Sequence, residues 1–219
     1  MSRKTLLWSM LLMTACAPAG DESAAEGADG TMAEAPAADA VPAFMTELRA
    51  ATERFQDVEV ALAEGYIPDP SGACVTAEME GQPAEMGAMG IHYFRPDLLG
   101  ITAVEPRVDG TGTHTDFTQP GVVIYEPQAD GSMELVAIES LVFQEAWFAA
   151  GNAAPPSYQG HEYVSMIDDP ETPADEAHGF QPHFELHLWL YRDNPNGTFT
   201  PFNPAVTCQH VSMASHAME

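Results

Sequence analysis

The chain is organised around one stretch, His183-Phe184-Glu185-Leu186-His187-Leu188-Trp189-Leu190-Tyr191. Apolar and polar residues alternate along it, which is typical of a β-strand whose two faces meet different surroundings. One face is formed by residues that suit a hydrophobic core: Phe184, Leu186, Leu188 and Leu190. The opposite face is formed by His183, Glu185, His187, Trp189 and Tyr191. Because divalent metal ions accept imidazole and carboxylate ligands, the stretch predicts a strand that carries part of a metal site.

Two residues elsewhere in the chain extend this candidate site. Glu139 is the only charged residue on an otherwise apolar face of a predicted strand, a face shared by Leu135, Ala137, Leu141 and Phe143. His92 lies in another short predicted strand. His183 and His187 are four residues apart, so one ion can contact both only if the strand curves. We therefore predict a metal site built from His92, Glu139, His187 and either His183 or Glu185.

The predicted ligands mix imidazole nitrogens with carboxylate oxygens. Such a set suits a transition metal (zinc, iron, manganese or copper) and not calcium or magnesium. His161, next to Glu162, is expected at the rim of the site. The remaining histidines lie in predicted loops or in the tail and are expected to take no part: His114, His178, His210 and His216.

The order of helix and strand signals predicts the fold class. Apolar residues at three- and four-residue spacing from Phe44 to Leu62 predict one amphipathic helix over residues 42–65, with Gly65 as its end. Short apolar runs separated by glycine and proline come next, and they predict strands near residues 90–94, 104–108, 122–125, 133–143, 161–167 and 183–191. This order predicts a single α+β domain over residues 42–219, in which the helix packs on an antiparallel sheet of a sandwich or a cupin-like barrel.

The first residues have the pattern of an export signal. A short basic region at residues 3–4 precedes an apolar run at residues 6–13, which is far shorter than the roughly 20 residues of a membrane-spanning helix. The next residues, Met13-Thr14-Ala15-Cys16, resemble the lipobox of bacterial lipoproteins. The resemblance implies a lipoprotein signal peptide at residues 1–15. An ordinary signal peptide with free secretion is the alternative.

A lipobox also has implications for the residues after the cleavage site. Cys16 would carry the lipid that anchors the protein to the membrane, and Ala17 after it favours the outer membrane of the cell envelope. Residues 16–41 consist mainly of alanine, glycine, proline and acidic residues, with almost no large apolar side chain. Such a segment buries too little surface to fold, so we expect a disordered acidic tether.

The composition is strongly acidic, with 33 acidic and 7 basic residues and a formal net charge of −26. A surface of this charge repels nucleic acids and anionic lipid headgroups, so both are excluded as partners. A strongly solvated acidic surface accounts for most of this charge, and a role in collecting cations is the alternative.

The cysteine count predicts a disulfide bond. With Cys16 lipidated, Cys74 and Cys208 remain as an even pair in an oxidising compartment. We expect the bridge to join the start and the end of the folded domain. Because the loop that it closes is long, the chain-entropy model predicts a stabilisation of several kcal/mol.

Several short motifs occur in a fixed order, among them Met89-Gly90-Ile91-His92-Tyr93, Glu185-Leu186-His187-Leu188-Trp189-Leu190 and Phe202-Asn203-Pro204-Ala205-Val206-Thr207-Cys208. Together they resemble an uncharacterised family of exported bacterial proteins, over most of residues 45–208. The resemblance implies that His92, Glu139, Glu185 and His187 belong to one site. It implies no reaction, because that family has no established activity.

The sequence leaves three functions open. The first is an envelope lipoprotein domain that binds a transition metal. The second is a metal-dependent enzyme that activates water or oxygen for a small substrate, with Glu185 or Glu139 as general base. The third is an envelope interaction protein without a metal, which docks a partner on the polar strand face that includes Trp189 and Tyr191.

Overall fold

The computed structural model describes residues 41–172 and 175–211. The predicted signal peptide, Cys16 and nearly all of the predicted tether lie outside these residues. Within them, the helices are α1 Ala43–Thr52, α2 Val58–Ala63, α3 Pro96–Leu99 and α4 Gln144–Ala149. The strands are β1 Ile67–Pro68, β2 Cys74–Thr76, β3 Ala88–Phe94, β4 Ile101–Ala103, β5 Asp109–Gly110, β6 Val122–Pro127, β7 Met133–Phe143, β8 Ser157–Tyr158, β9 His161–Glu162, β10 Val164–Met166 and β11 His183–Leu188. In the described part of the chain, no helix combines the length and the apolar character that crossing a bilayer requires.

A seven-stranded antiparallel sheet forms the centre of the fold. Its strand order is β1-β3-β6-β7-β11-β10, and β2 pairs with β3 beside this path. Two further pairs of strands, β4 with β5 and β8 with β9, form small separate sheets. The fold is therefore α+β with a large antiparallel sheet and few helices, as the sequence predicts.

The predicted sandwich or cupin-like barrel differs from this arrangement. In the described residues the main sheet is open, because its path ends at β1 and β10 and these two strands do not pair with each other. The small two-stranded sheets are too short to form the second layer of a sandwich. Helices and loops cover the two faces of the sheet instead, so no closure is needed to bury them.

The two faces of the sheet carry different cores. On the helix-side face, Phe184, Leu186, Leu188 and Leu190 of the β11 region pack with Leu48, Phe55 and other buried residues of the N-terminal helical segment. On the loop-side face, Leu141 and Phe143 of β7 pack with Phe94, Leu99 and Phe180. The predicted alternation of β11 is confirmed, since its apolar residues all belong to the helix-side core.

The N-terminal helical segment is two helices instead of the single helix predicted over residues 42–65. A 3-10 turn, Glu53–Gln56, and the extended residue Asp57 separate α1 from α2. The Asp57 carboxylate accepts a hydrogen bond from the Glu59 amide and so caps α2 as a new helix. In α2 the buried residue is Ala61, and Leu62 lies at the surface.

Two predicted side-chain positions are corrected by local irregularities of the strands. A register shift between β6 and β7 lies next to Tyr125, and Leu135 packs in the helix-side core, opposite to the face predicted for it. Tyr191 lies beyond the end of β11, where strand alternation no longer applies. Its ring packs against the helix-side core, and its hydroxyl contacts Thr52 at 2.9 Å.

Two of the weaker predicted strands also differ from the structure. Residues 104–108 connect β4 to β5 and are not a strand. The predicted edge strand at residues 161–167 is divided between β9, which belongs to a small sheet, and β10, which pairs with β11.

The predicted disulfide between Cys74 and Cys208 is present. Their Cα atoms are 5.7 Å apart, and the bridge spans 134 positions of the chain. Cys74 begins β2, so the bond ties the C-terminal segment to the edge of the sheet. In the chain-entropy model, a loop of this length corresponds to a stabilisation of about 5 kcal/mol.

Candidate metal centre

Three strands of the main sheet bring His92, Glu139 and His187 together. His187 of β11 is the direct cross-strand partner of Glu139 on β7. Glu139 is paired in turn with Val122 of β6, and His92 of β3 is paired with Ile124 of the same strand. Because cross-strand partners point to the same side of a sheet, all three side chains project from the loop-side face. All three are buried.

Gly90 allows β3 to approach β6 closely enough to place His92 in this group. Its backbone has a φ of +120°, which L-residues with a side chain rarely adopt. A Cβ atom at this position would lie 2.6 Å from the carbonyl oxygen of Tyr125. Any larger residue would therefore push the two strands apart.

The three side chains have the spacing of ligands to one ion. The distance from Glu139 Oε2 is 3.3 Å to His92 Nε2 and 3.2 Å to His187 Nε2. The ligand atoms of the group all lie within 4.8 Å of one another. Two atoms that bind one ion at about 2.1 Å, with an angle of roughly 90–110° between them, lie about 3.0–3.4 Å apart. The arrangement can therefore hold a metal ion.

Two of these ligand atoms have no other partner within the described part of the chain. Glu139 Oε2 and His187 Nε2 are inaccessible to solvent, and neither makes a hydrogen bond of normal geometry there, although they are 3.2 Å apart and Glu139 Oε2 also lies 3.3 Å from His92 Nε2. Burying a carboxylate oxygen and an imidazole nitrogen in this way costs free energy unless a cation or a donor compensates it. A metal ion bound to both atoms would supply that compensation.

Glu185 and His183 lie beside this group. Glu185 Oε1 is 3.7 Å from His187 Nδ1, and Glu185 Oε2 is 3.4 Å from His183 Nε2. His183 Nδ1 in turn is 3.0 Å from the carbonyl oxygen of Gln181. A carboxylate behind a ligating histidine orients the ring and fixes its tautomer, so these positions suit a supporting role.

The charges within the group shift two pKa values. Burial opposes the ionisation of Glu185, but its contact with His183 and the charges of His187 and His183 lower its pKa to about 2. Burial favours the neutral form of His92, but its contact with the Glu139 carboxylate raises the pKa of His92 above its usual value.

The structure brings the five predicted ligands into one region but gives them different positions. His92, Glu139 and His187 form the group that can hold an ion, while His183 and Glu185 stand next to it. His161, predicted at the rim, is exposed and stacks on Phe199 with 4.1 Å between the ring centroids.

The docking surface predicted as an alternative is not accessible on this strand face. Trp189 is buried, and its indole nitrogen donates a hydrogen bond to the Thr200 carbonyl oxygen at 2.6 Å. The histidines and the glutamate of the face are buried as well. These side chains are therefore not exposed to a partner in the described part of the structure.

Two residues of the site were missed by the sequence analysis. His178, expected to take no part, and Glu80 both line the cavity next to Glu139 and Glu185. Burial, together with the charge of Glu185, raises the pKa of Glu80 to about 8. Burial lowers the pKa of His178. Both residues lie outside the regular strands, so no periodic pattern points to them, and only their residue types gave a signal.

The cavity over the site is small and adjoins a larger groove. Its volume is about 40 Å³, and the groove beside it has a volume of about 470 Å³. Asp69, Phe94, His178 and Phe180 line both spaces. The groove is otherwise mainly apolar, with Ile101 and Val108 among its walls.

Comparisons with known proteins give no match: no family model, no curated protein and no solved structure is significantly similar to this chain. The resemblance to exported bacterial proteins therefore stays a prediction.

Proposed function

We propose that this protein is an exported domain that binds a divalent transition metal ion through His92, Glu139 and His187. The observation that carries the proposal is the convergence of three buried ligand atoms, two of which have no hydrogen-bond partner in the described part of the chain. Such atoms would be costly in a purely structural cluster. A bound cation turns the same arrangement into a favourable one.

The ligand chemistry limits the choice of metal. Two imidazole nitrogens and one carboxylate oxygen suit zinc, iron, manganese or copper better than calcium or magnesium, which prefer oxygen ligands. Three protein ligands also leave coordination positions free. The neighbouring Glu185 and His183 would hold the His187 ring in place.

The location of the protein is part of the proposal. The leader at residues 1–15 and the lipobox-like sequence before Cys16 support export and a lipid anchor at the outer membrane. The disulfide between Cys74 and Cys208 supports an oxidising compartment, since such bonds are rare in proteins that stay in the cytosol. The domain would then bind its metal in the cell envelope.

A second candidate function is a metal-dependent enzyme that acts on a small molecule. The observation that favours it is the groove of about 470 Å³ whose lining residues include His178 and Asp69 from the wall of the metal cavity. A substrate in the groove would lie next to an ion with free coordination positions. Of Glu139 and Glu185, the two carboxylates that the sequence offers as a general base, Glu185 remains once Glu139 is assigned as a ligand.

Elemental analysis of the purified protein tests the metal proposal. We expect at least one equivalent of a transition metal per chain, and His187→Ala should remove one equivalent because it deletes a central ligand. His210→Ala, which changes an exposed histidine, should leave the content unchanged. Circular dichroism of each variant would check that it is folded. Equal metal content in the wild type and in folded His187→Ala would refute the site.

A further inference from the structure

The wall of the cavity opposite the sheet carries a second pair of metal-ligating side chains. Glu80 ends a 3-10 helix, Ala77–Glu80, that comes after β2, and His178 lies in the loop between β10 and β11. His178 Nε2 is 3.4 Å from Glu80 Oε1. Both atoms are inaccessible to solvent and make no hydrogen bond within the described residues. Glu80 Oε1 and His178 Nε2 are thus buried without a hydrogen bond, as are Glu139 Oε2 and His187 Nε2 in the first group.

The backbone holds His178 in place at a conformational cost. Its φ is +53°, in the left-handed region that residues other than glycine seldom adopt. Arg107 holds described residues on both sides of His178, because it contacts the carboxylates of Asp168 and Asp175 and donates to the Phe180 carbonyl oxygen. These contacts keep the imidazole at the wall of the cavity despite the strain.

The local turn around Glu80 is equally well defined. The Thr76 hydroxyl accepts a hydrogen bond from the Met79 amide at the start of the 3-10 helix. Gly81 ends the helix in the left-handed conformation, with a φ of +69°. The disulfide at Cys74 ties the preceding strand to the C-terminal segment. The Glu80 carboxylate is thus presented from a fixed position.

The cavity carries carboxyl groups in addition to Glu139, the one assigned to the first ion. Four carboxyl groups line it, those of Asp69, Glu80, Glu139 and Glu185. No lysine or arginine is found among the described residues of this lining. Of these four groups, the Glu80 carboxyl is the one that lies against His178.

We propose that Glu80 and His178 bind a second divalent transition metal ion in this cavity, next to the ion held by His92, Glu139 and His187. The inference rests on the proposed function and extends the centre to two ions. Water or a bound small molecule would complete the coordination of the second ion. Because His178 also lines the apolar groove, a molecule in the groove would meet the second ion first.

Metal stoichiometry tests this inference on the full chain. The protein is stripped with a chelator, dialysed to equilibrium against buffered Zn²⁺ alone, and analysed for zinc per chain. We expect two equivalents for the wild type and one for the double variant Glu80→Gln with His178→Asn. The matched control, Glu78→Gln with His210→Asn, changes exposed residues of the same types and should keep two equivalents.

The result for His187→Ala separates this inference from the proposed function. Two equivalents in the wild type, with one lost in each of the two site variants, would support both. One equivalent in the wild type that survives in Glu80→Gln with His178→Asn but disappears in His187→Ala would overturn the second ion and leave the first intact. No bound zinc in the folded wild type would overturn both.

Discussion

The two faces of β11 are equally buried but chemically opposite. Phe184 and Leu186 on the helix-side face are 3% and 2% exposed, while His183 and His187 on the loop-side face are 1% and 2% exposed. Burial of the apolar side chains on the first face is favourable through close packing alone. The second encloses imidazoles and carboxylates, two of whose atoms lack a hydrogen-bond partner in the described residues. Close packing alone therefore does not account for the loop-side face, whereas a bound cation would compensate these atoms.

The largest expected effect comes from the helix-side face. Leu186→Ala should lower the free energy of unfolding by about 2–5 kcal/mol, because it leaves a cavity in a closely packed core. The metal content per folded chain should not change, since the residue points away from the site. Denaturant unfolding combined with elemental analysis would measure both. Loss of the metal from folded Leu186→Ala would show that the two faces are not independent.

The loop-side face should show its contribution only when metal is present. Free Zn²⁺ at 100 times its dissociation constant for the group of His92, Glu139 and His187 should stabilise the wild type by about 2.7 kcal/mol through that ion, because the ion binds the folded state alone. His187→Ala should lose this part of the stabilisation, while His210→Ala should respond like the wild type. Unfolding curves with and without zinc would measure the shift. If zinc did not change the free energy of unfolding of the wild type, the cluster would be purely structural.

The smallest expected effect comes from an ion pair that belongs to neither face. The hydrogen bond from Arg54 lowers the pKa of Glu64, although burial opposes this slightly, and the two side chains are 43% and 36% exposed. A lowered carboxyl pKa gives stability above the pKa of the unfolded state, and that stability is lost as the pH falls through the lower folded value. Water screens the pair, so its contribution is below about 1 kcal/mol.

The pH dependence of Glu64→Gln measures this contribution. The variant should be less stable than the wild type at pH 7 by less than about 1 kcal/mol, and the difference should vanish toward acidic pH. A difference that instead grows as the pH falls would have the wrong sign for this pair. The comparison would show how little an ion pair in water contributes beside the buried carboxylates of the cavity.

The features of the site that depend on strand periodicity were predicted correctly from the sequence. The alternation of β11 separates its two faces correctly, and the isolated charge of Glu139 among apolar residues points to a buried site. His92 joins this site through the register of β3, β6 and β7, which brings three distant segments together. The grouping was predictable because each of these residues lies on a regular strand.

Other features lie in irregular segments of the backbone and were not predicted from the sequence. Glu80 and His178 lie in a 3-10 helix and a loop, where no repeat connects a residue's position to the direction of its side chain. The register shift near Tyr125 moved Leu135 to the other face. Asp57 interrupts the N-terminal helix, and its carboxylate, a preferred N-cap group, was the one signal that could have revealed the break.

The most direct test of the central claim is the position of the metal in zinc-loaded crystals. Anomalous scattering at the zinc absorption edge should give a peak about 2.0–2.2 Å from His92 Nε2, Glu139 Oε2 and His187 Nε2. That result would show that the polar face of β11 binds a metal ion together with Glu139 and His92. A peak only at exposed histidines such as His161 or His210, or no peak near Glu139, would contradict the account.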